Sequence, residues 1–212
     1  MLTPIINGNI PSALDSTKKI YERIRKVFIE TEGTPNPATL KFLPDCEVMS
    51  SGTADFSSVA AAARSPLART LFDLPGVTRV FFGSYFISVT KEEEIEWQSL
   101  KPQVLCVLME HFIGGQKTLE GINDDDMDED FDSEDAETVQ QIKEILDTRV
   151  RPSVAGDGGD VIFRGFRDGV VFLEMQGACS GCPSSSATLK RGIQSMLCHY
   201  VPEVLSVEQA NY

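Results

Sequence analysis

Cys179 and Cys182 are the residue pair best equipped for chemistry, in the run Gly177-Ala178-Cys179-Ser180-Gly181-Cys182-Pro183-Ser184-Ser185-Ser186. An apolar strand pattern over residues 170–175 leads into this run, and an amphipathic helix pattern over residues 185–201 leads out of it. The two cysteines therefore fall on a short turn between a strand and a helix N-terminus. A helix start carries unpaired N–H groups and roughly half a positive charge. A thiolate is stabilised there, and the thiolate is the form that binds metal or attacks an electrophile. Gly177 and Gly181 permit a tight turn and close approach to a bound group, and Pro183 suits a first helical turn that needs no N–H. Read from these residues alone, four readings stay open: an iron–sulfur cluster, a zinc ion, thiol–disulfide exchange, or a purely structural pair.

Five cysteines are spread over 212 residues, namely Cys46, Cys106, Cys179, Cys182 and Cys198. That density does not make a secreted disulfide framework. The first ten residues lack a basic region followed by a long apolar stretch, so no secretory signal is expected. No apolar run approaches the ~18 residues of a membrane span. Ser16-Thr17-Lys18-Lys19 and residues 23–26 give the first segment some basic character, but Asp15 and Glu22 interrupt it and a transit peptide is not convincing. The expected compartment is a bacterial cytoplasm, with the mitochondrial matrix as the alternative.

The net charge of −13 is unevenly distributed. Residues 120–137 hold eleven acids and no Lys or Arg, which leaves the rest of the chain nearly balanced. Neither part shows the basic patch with interleaved aromatics of a nucleic-acid binder. The acid run is too highly charged to pack and reads as a solvated, extended linker. It lacks the central glycine and terminal glutamate of an EF-hand loop, so calcium binding is set aside.

The elements around this linker form two units. In the first, residues 27–30 and 39–44 read as paired strands, separated by a turn or loop at Glu32-Gly33-Thr34-Pro35-Asn36-Pro37 that ends the first of them. Residues 55–58 read as loop. Ser65-Pro66 starts a helix with Leu67, Leu71 and Leu74 on one face, and Pro75-Gly76 ends it. Residues 77–82 and 85–89 read as a hairpin about Gly83-Ser84, followed by a helix over residues 97–112. In the second unit, a helix over residues 133–150 carries Val139, Ile142, Ile145, Leu146 and Val150 on one stripe, with Pro152 after its end. Ala155-Gly156-Asp157-Gly158-Gly159-Asp160 reads as a structural turn, because it lacks both phosphate-loop patterns. Residues 161–166 and 170–175 form a hairpin through Arg167-Asp168-Gly169. After the cysteine turn, Leu189, Ile193, Met196, Leu197, Tyr200 and Val201 line a helix face, and residues 204–209 can form a last strand. The expected fold class is α+β: two small α+β domains joined by an acidic flexible linker, the second in the order α-β-β-α-β. The boundaries are 1–26 for an N-terminal extension, 27–115 for the first domain, 116–134 for the linker and 135–212 for the second domain.

On these residues the chain resembles the NifU-like, or Nfu-type, iron–sulfur cluster scaffold and carrier proteins. The resemblance rests on the run from Arg151 to Asp160 followed by Gly177-Ala178-Cys179-Ser180-Gly181-Cys182-Pro183 in the second domain, and on Thr34-Pro35-Asn36-Pro37-Ala38-Thr39-Leu40-Lys41-Phe42 in the first. It implies that Cys179 and Cys182 ligate a [4Fe–4S] cluster. Such a cluster takes four thiolates, so two chains sharing it as a homodimer or higher oligomer would complete the set. An exposed cysteine turn would suit such sharing. The resemblance further implies a carrier without substrate turnover, loaded by upstream cluster assembly proteins and serving apo iron–sulfur proteins. No nucleic-acid or membrane partner is expected. The rival is a thiol–disulfide redox protein using the same pair; Ser180-Gly181 between the cysteines and the α-β-β-α-β surroundings speak against it. Cys198 reads as a partly exposed thiol, Cys106 as a small core or boundary residue, Cys46 as a loop residue, and His111 and His199 as structural. The first domain shows no catalytic constellation, and its expected role is partner recognition or orientation of the second.

Overall fold

Alternating side chains in the first domain build one sheet with two unlike faces. The computed structural model describes residues 28–119, 130–131, 135–180 and 183–210. Strands β1 (Ile29–Gly33), β2 (Thr39–Pro44), β3 (Ala54–Phe56), β4 (Val77–Phe82) and β5 (Ile87–Lys91) form a five-stranded antiparallel sheet in the order β1-β2-β5-β4-β3. Helices α1 (Pro66–Phe72) and α2 (Trp97–Gly114) cover one face. Phe42, Ala54, Phe56, Val80, Phe82, Ile87 and Val89 point toward them and join Leu67, Leu71, Leu100, Val104 and Leu108 in a single core. Ser65 caps α1 by accepting from the Ala68 N–H at 3.1 Å, with Pro66 in the first turn as the sequence indicates. Gly115 ends α2 in the left-handed conformation.

The second domain begins with α3 (Ala136–Ile145), a π-type turn (Leu146–Val150) and α4 (Arg151–Gly156). The hairpin of β7 (Gly159–Arg167) and β8 (Val170–Gly177) turns at Asp168 and Gly169, both at positive φ, as a tight two-residue hairpin requires. Helix α5 (Pro183–Tyr200) and strand β9 (Ser206–Gln209) complete it. β9 pairs with β8 in parallel, so α5 is the crossover between them. Val139, Ile142, Leu146, Val161, Val171, Leu173, Ile193 and Leu197 form a second, separate core.

Several expectations need correcting. Residues 54–56 form β3 rather than loop: Ala54 and Phe56 face the core while Asp55 faces away, and three residues are too few for periodicity to show. The helical path does not stop before Pro152. The widened turn at Leu146–Val150 lets a new helix start, and Pro152 then lies in its first turn, where no N–H is needed. The supposed six-residue turn shrinks to Asp157-Gly158, because α4 reaches Gly156 and β7 starts at Gly159. β1 continues through Glu32-Gly33, paired with Lys41 and Leu40. Asp130–Phe131, within the segment read as solvated linker, forms a two-residue strand β6, parallel to Gly165 and Phe166 of β7. The N-terminal extension and the rest of the Asp-rich run lie outside the described residues.

Candidate metal centre

Strand β8 delivers the cysteine loop. Val171, Leu173 and Met175 alternate inward and anchor the strand to the core, and Gly177, its last residue, is buried against the Gly158 carbonyl and Phe81. There the chain turns sharply. Gly177 has φ +63°, and a Cβ on it would stand 2.8 Å from the Gly158 carbonyl oxygen and 2.8 Å from Cγ of Phe81. Only glycine fits both the conformation and the space. The Ala178 N–H donates to Gly158 O at 3.1 Å and the Ser180 N–H to Gly177 O at 3.1 Å, which fixes the loop against the start of β7. Cys179 follows, only 5% exposed and packed with the second core. Gly159 faces it: a Cβ there would lie 2.9 Å from Cys179 Sγ and 2.4 Å from Gln176 O. The expectation of an exposed cysteine turn is therefore wrong at Cys179. Local patterning gave no sign of burial because the cover comes from distant chain. Cys182 lies outside the described residues, and α5 begins directly after it at Pro183.

The residues on either side of Cys179 are held in turn by the first domain. On β2, β3, β4 and β5, the residues between the core-facing ones point to the opposite face of the sheet: Lys41, Asp55, Arg79, Phe81 and Ser88. This face lies against the cysteine loop and the turn before β7. Ser88 Oγ donates to Gly158 O at 2.7 Å, Lys41 Nζ to Gly156 O at 3.2 Å, and Asn36 Nδ2 to Ala178 O at 3.3 Å. Asn36 is itself held by its turn, where its Oδ1 accepts from the Ala38 N–H at 3.0 Å. Asp55 Oδ1 accepts from the Gly177 N–H at 3.3 Å, and its Oδ2 pairs with Arg79 at 2.8 Å. The other terminal nitrogen of Arg79 donates to Ser180 Oγ, between the two cysteines in sequence. Phe81 is fully buried yet belongs to neither core, because it fills the seam beside Gly177 and Phe86.

Burial pushes the Asp55 carboxyl above the usual carboxylate range, and Glu174 adds to this, while Arg79 and the Gly177 N–H pull it back. A second anchor is Asp160, 3% exposed at the start of β7. It accepts from Arg151 Nε at 2.9 Å, from a terminal Arg151 nitrogen at 2.6 Å and from Thr53 Oγ1 of the first domain at 3.0 Å. The paired carboxylate holds the Arg151 guanidinium above its ordinary range. A cleft of about 690 Å³ opens beside this anchor between the domains, lined by Lys41, Tyr85, Phe86, Arg151 and Pro152 among others.

The other cysteines stand apart. Cys198 is exposed on α5, as expected. Cys106 is exposed on α2 rather than packed at the core, because Val104 and Leu108 take the inward face. Cys46 lies in the loop after β2, and partial burial, then the Asp45 carboxylate, pushes its thiol up, away from the reactive form. His111 is buried, contacts Thr118 Oγ1 at 3.3 Å and is held below its ordinary value by burial. Among the described residues, no three His, Cys, Asp or Glu side chains gather into a metal set, and no helix is long and apolar enough to cross a membrane.

Sequence reading missed Asp55, Arg79 and Asn36 as neighbours of the cysteine loop. A charge at Arg79 inside an otherwise apolar strand run was the one available signal, and Asn36 lay within the Thr34–Phe42 motif without an assigned task.

Fold and site define a two-domain α+β protein with a two-cysteine loop at a strand–helix junction. Residues 29–115 match the family described as Scaffold protein Nfu/NifU N terminal, and residues 142–208 match the NifU-like domain. The chain belongs to the Nfu/NifU family. It is 54% identical over 186 residues to the "NFU1 iron-sulfur cluster scaffold homolog, mitochondrial" of Drosophila willistoni, covering 87% of this chain and 64% of that protein. It is 52% identical over 190 residues to the Homo sapiens protein of the same name, covering 89% and 74%. A third relative, "NifU-like protein 4, mitochondrial" of Arabidopsis thaliana, is 50% identical over 188 residues, covering 87% and 66%. This chain thus spans about two thirds to three quarters of the length of these relatives.

Proposed function

We propose that this chain is an iron–sulfur cluster scaffold and carrier, with Cys179 and Cys182 holding a [4Fe–4S] cluster as cargo. The observation that carries the reading is the cysteine loop itself. Its two thiols belong to a strand–helix junction, and glycines at 159 and 177 allow backbone to approach where any side chain would collide. Thiolates are the donors that iron–sulfur clusters take, four to a cluster, and the motif supplies two per chain. Two protomers sharing one cluster complete the set. A cargo held by so few ligands per chain leaves by ligand exchange: cysteine thiolates of an apo iron–sulfur protein replace Cys179 and Cys182 at iron, and no substrate is turned over. Upstream assembly proteins supply the cluster. The relatives' names support an iron–sulfur scaffold, and their shared word "mitochondrial" favours the mitochondrial matrix over the bacterial cytoplasm expected from sequence.

The test is anaerobic reconstitution of the reduced chain with iron and sulfide, followed by visible absorption, iron analysis and sizing of one sample. A broad visible chromophore, about four irons per two chains and a shift to a larger species are expected. A colourless monomer that cycles Cys179 and Cys182 between dithiol and disulfide would replace this reading with the redox one.

A further inference from the structure

The burial of Cys179 conflicts with delivering a cluster. A thiolate that shares cargo with a second protomer must face outward, yet Cys179 is 5% exposed. Three of the four residues from Gly177 to Ser180 are bonded to the first domain: the Gly177 N–H to Asp55, the Ala178 carbonyl to Asn36, and the Ser180 hydroxyl to Arg79. Ser88 and Lys41 hold the preceding turn through Gly158 O and Gly156 O. The same sheet face presents Phe81 to the loop. Second-domain packing buries the sulfur, and first-domain bonds hold the loop in the shape that keeps it buried.

We propose that the polar face of the first domain's sheet is a cap on the cysteine loop, latched by the Asp55–Arg79 pair, and that the cap must lift before Cys179 can take or release a cluster. The proposal rests on the carrier reading for its purpose but not for its geometry. The latch is suited to reversible opening. Its contacts are mostly single hydrogen bonds to backbone, each of modest net strength because water replaces them on opening. Arg79 Nε is buried without a hydrogen-bond partner in the docked arrangement, and lifting the cap lets water reach it. Phe81, the fully buried ring in the seam, belongs to neither core, so lifting the cap exposes that ring but leaves both cores intact. The first domain then has two states to occupy, one holding the loop of the empty carrier with its thiol buried and one leaving the loop free to rearrange and meet a second copy.

The test uses the full-length reduced, metal-free chain. Alkylation by iodoacetamide is followed peptide by peptide, with exposed Cys198 as the internal reference. Native Cys179 is expected to react at least about tenfold more slowly than Cys198. Arg79→Ala is expected to close most of that gap while circular dichroism shows a folded chain. Ser88→Arg, which pries the seam from a different strand, is expected to do the same and decides the matter if Arg79→Ala does not fold. Native Cys179 reacting as fast as Cys198, or a folded Ser88→Arg chain with an unchanged ratio, overturns the cap. Anaerobic cluster uptake is then timed in the same proteins. Uptake accelerated in the variants supports the gate, and equal uptake with accelerated alkylation overturns it. A chain that takes up no cluster while alkylation still responds overturns the carrier reading and supports the cap.

Discussion

The two sheets of this protein are built by the same alternation of side chains but put their second faces to different uses. In the second domain, β7 and β8 bury an apolar set against α3 and α5 and lead into the cysteine loop. In the first, one face is an equally apolar core, and the other carries Lys41, Asp55, Arg79 and Ser88. A sheet face of that composition ordinarily meets water. Here it meets the backbone of the cysteine loop, and Ser88 is 1% exposed. The first domain thus bonds to three of the four described residues of the loop, Gly177, Ala178 and Ser180.

The contrast can be broken most severely at the thiols. Cys179→Ala should abolish cluster uptake, read as loss of visible absorption and bound iron, while Cys198→Ser should leave both unchanged; an intact cluster in Cys179→Ala would sink the ligand assignment. Next comes the seam. Phe81→Ala removes a fully buried ring that neither core claims and should cost about 3 kcal/mol in chemical denaturation, less if the domains close over the gap. Gly177→Val forces a branched side chain into φ +63° against Gly158 O and should cost about 2 kcal/mol or more, by the same measurement.

Smaller effects sharpen the comparison. His111 has a folded-state pKa below its unfolded value, so its stabilising contribution is fully present above about pH 6.5 and is lost as pH falls from there through the folded value. Thermal melts should show the first domain weakening on that acidification, and His111→Gln should flatten the dependence. The smallest change is expected for Asp55→Asn. Burial already opposes the charge there, and the amide oxygen can still accept from Gly177 or Arg79. Its cost should stay below about 1 kcal/mol; a much larger loss would show that the full carboxylate charge holds the latch.

Most elements were readable because their signals are local. Leu189, Ile193, Met196 and Leu197 of α5 follow helical spacing into the core, although Tyr200, expected on the same face, is exposed, and the hairpin at Asp168-Gly169 follows turn chemistry. The misreadings share a different cause. β3 is three residues long and β6 two, and strands that short exist only because a neighbour offers them hydrogen bonds. Pro152 looked like a terminator because nothing nearby announces the widened turn that resets the helix before it. Cys106 reads from sequence as a core or boundary residue but is exposed, because Val104 and Leu108 already occupy the inward face.

Residue type and spacing determined by themselves the cysteine pair, the glycines that let the loop turn, the two apolar cores and the acid-rich stretch between the domains. These follow from side-chain chemistry and from periods of two and 3.6 residues, which a chain carries along its length. Only the tertiary structure decided that Cys179 is covered, that Asp55 and Arg79 meet Gly177 and Ser180, and that a polar sheet face is buried. Those contacts join residues more than a hundred positions apart. A backbone N–H or carbonyl is the same at every residue, so nothing in the sequence marks which distant side chain will bond to it.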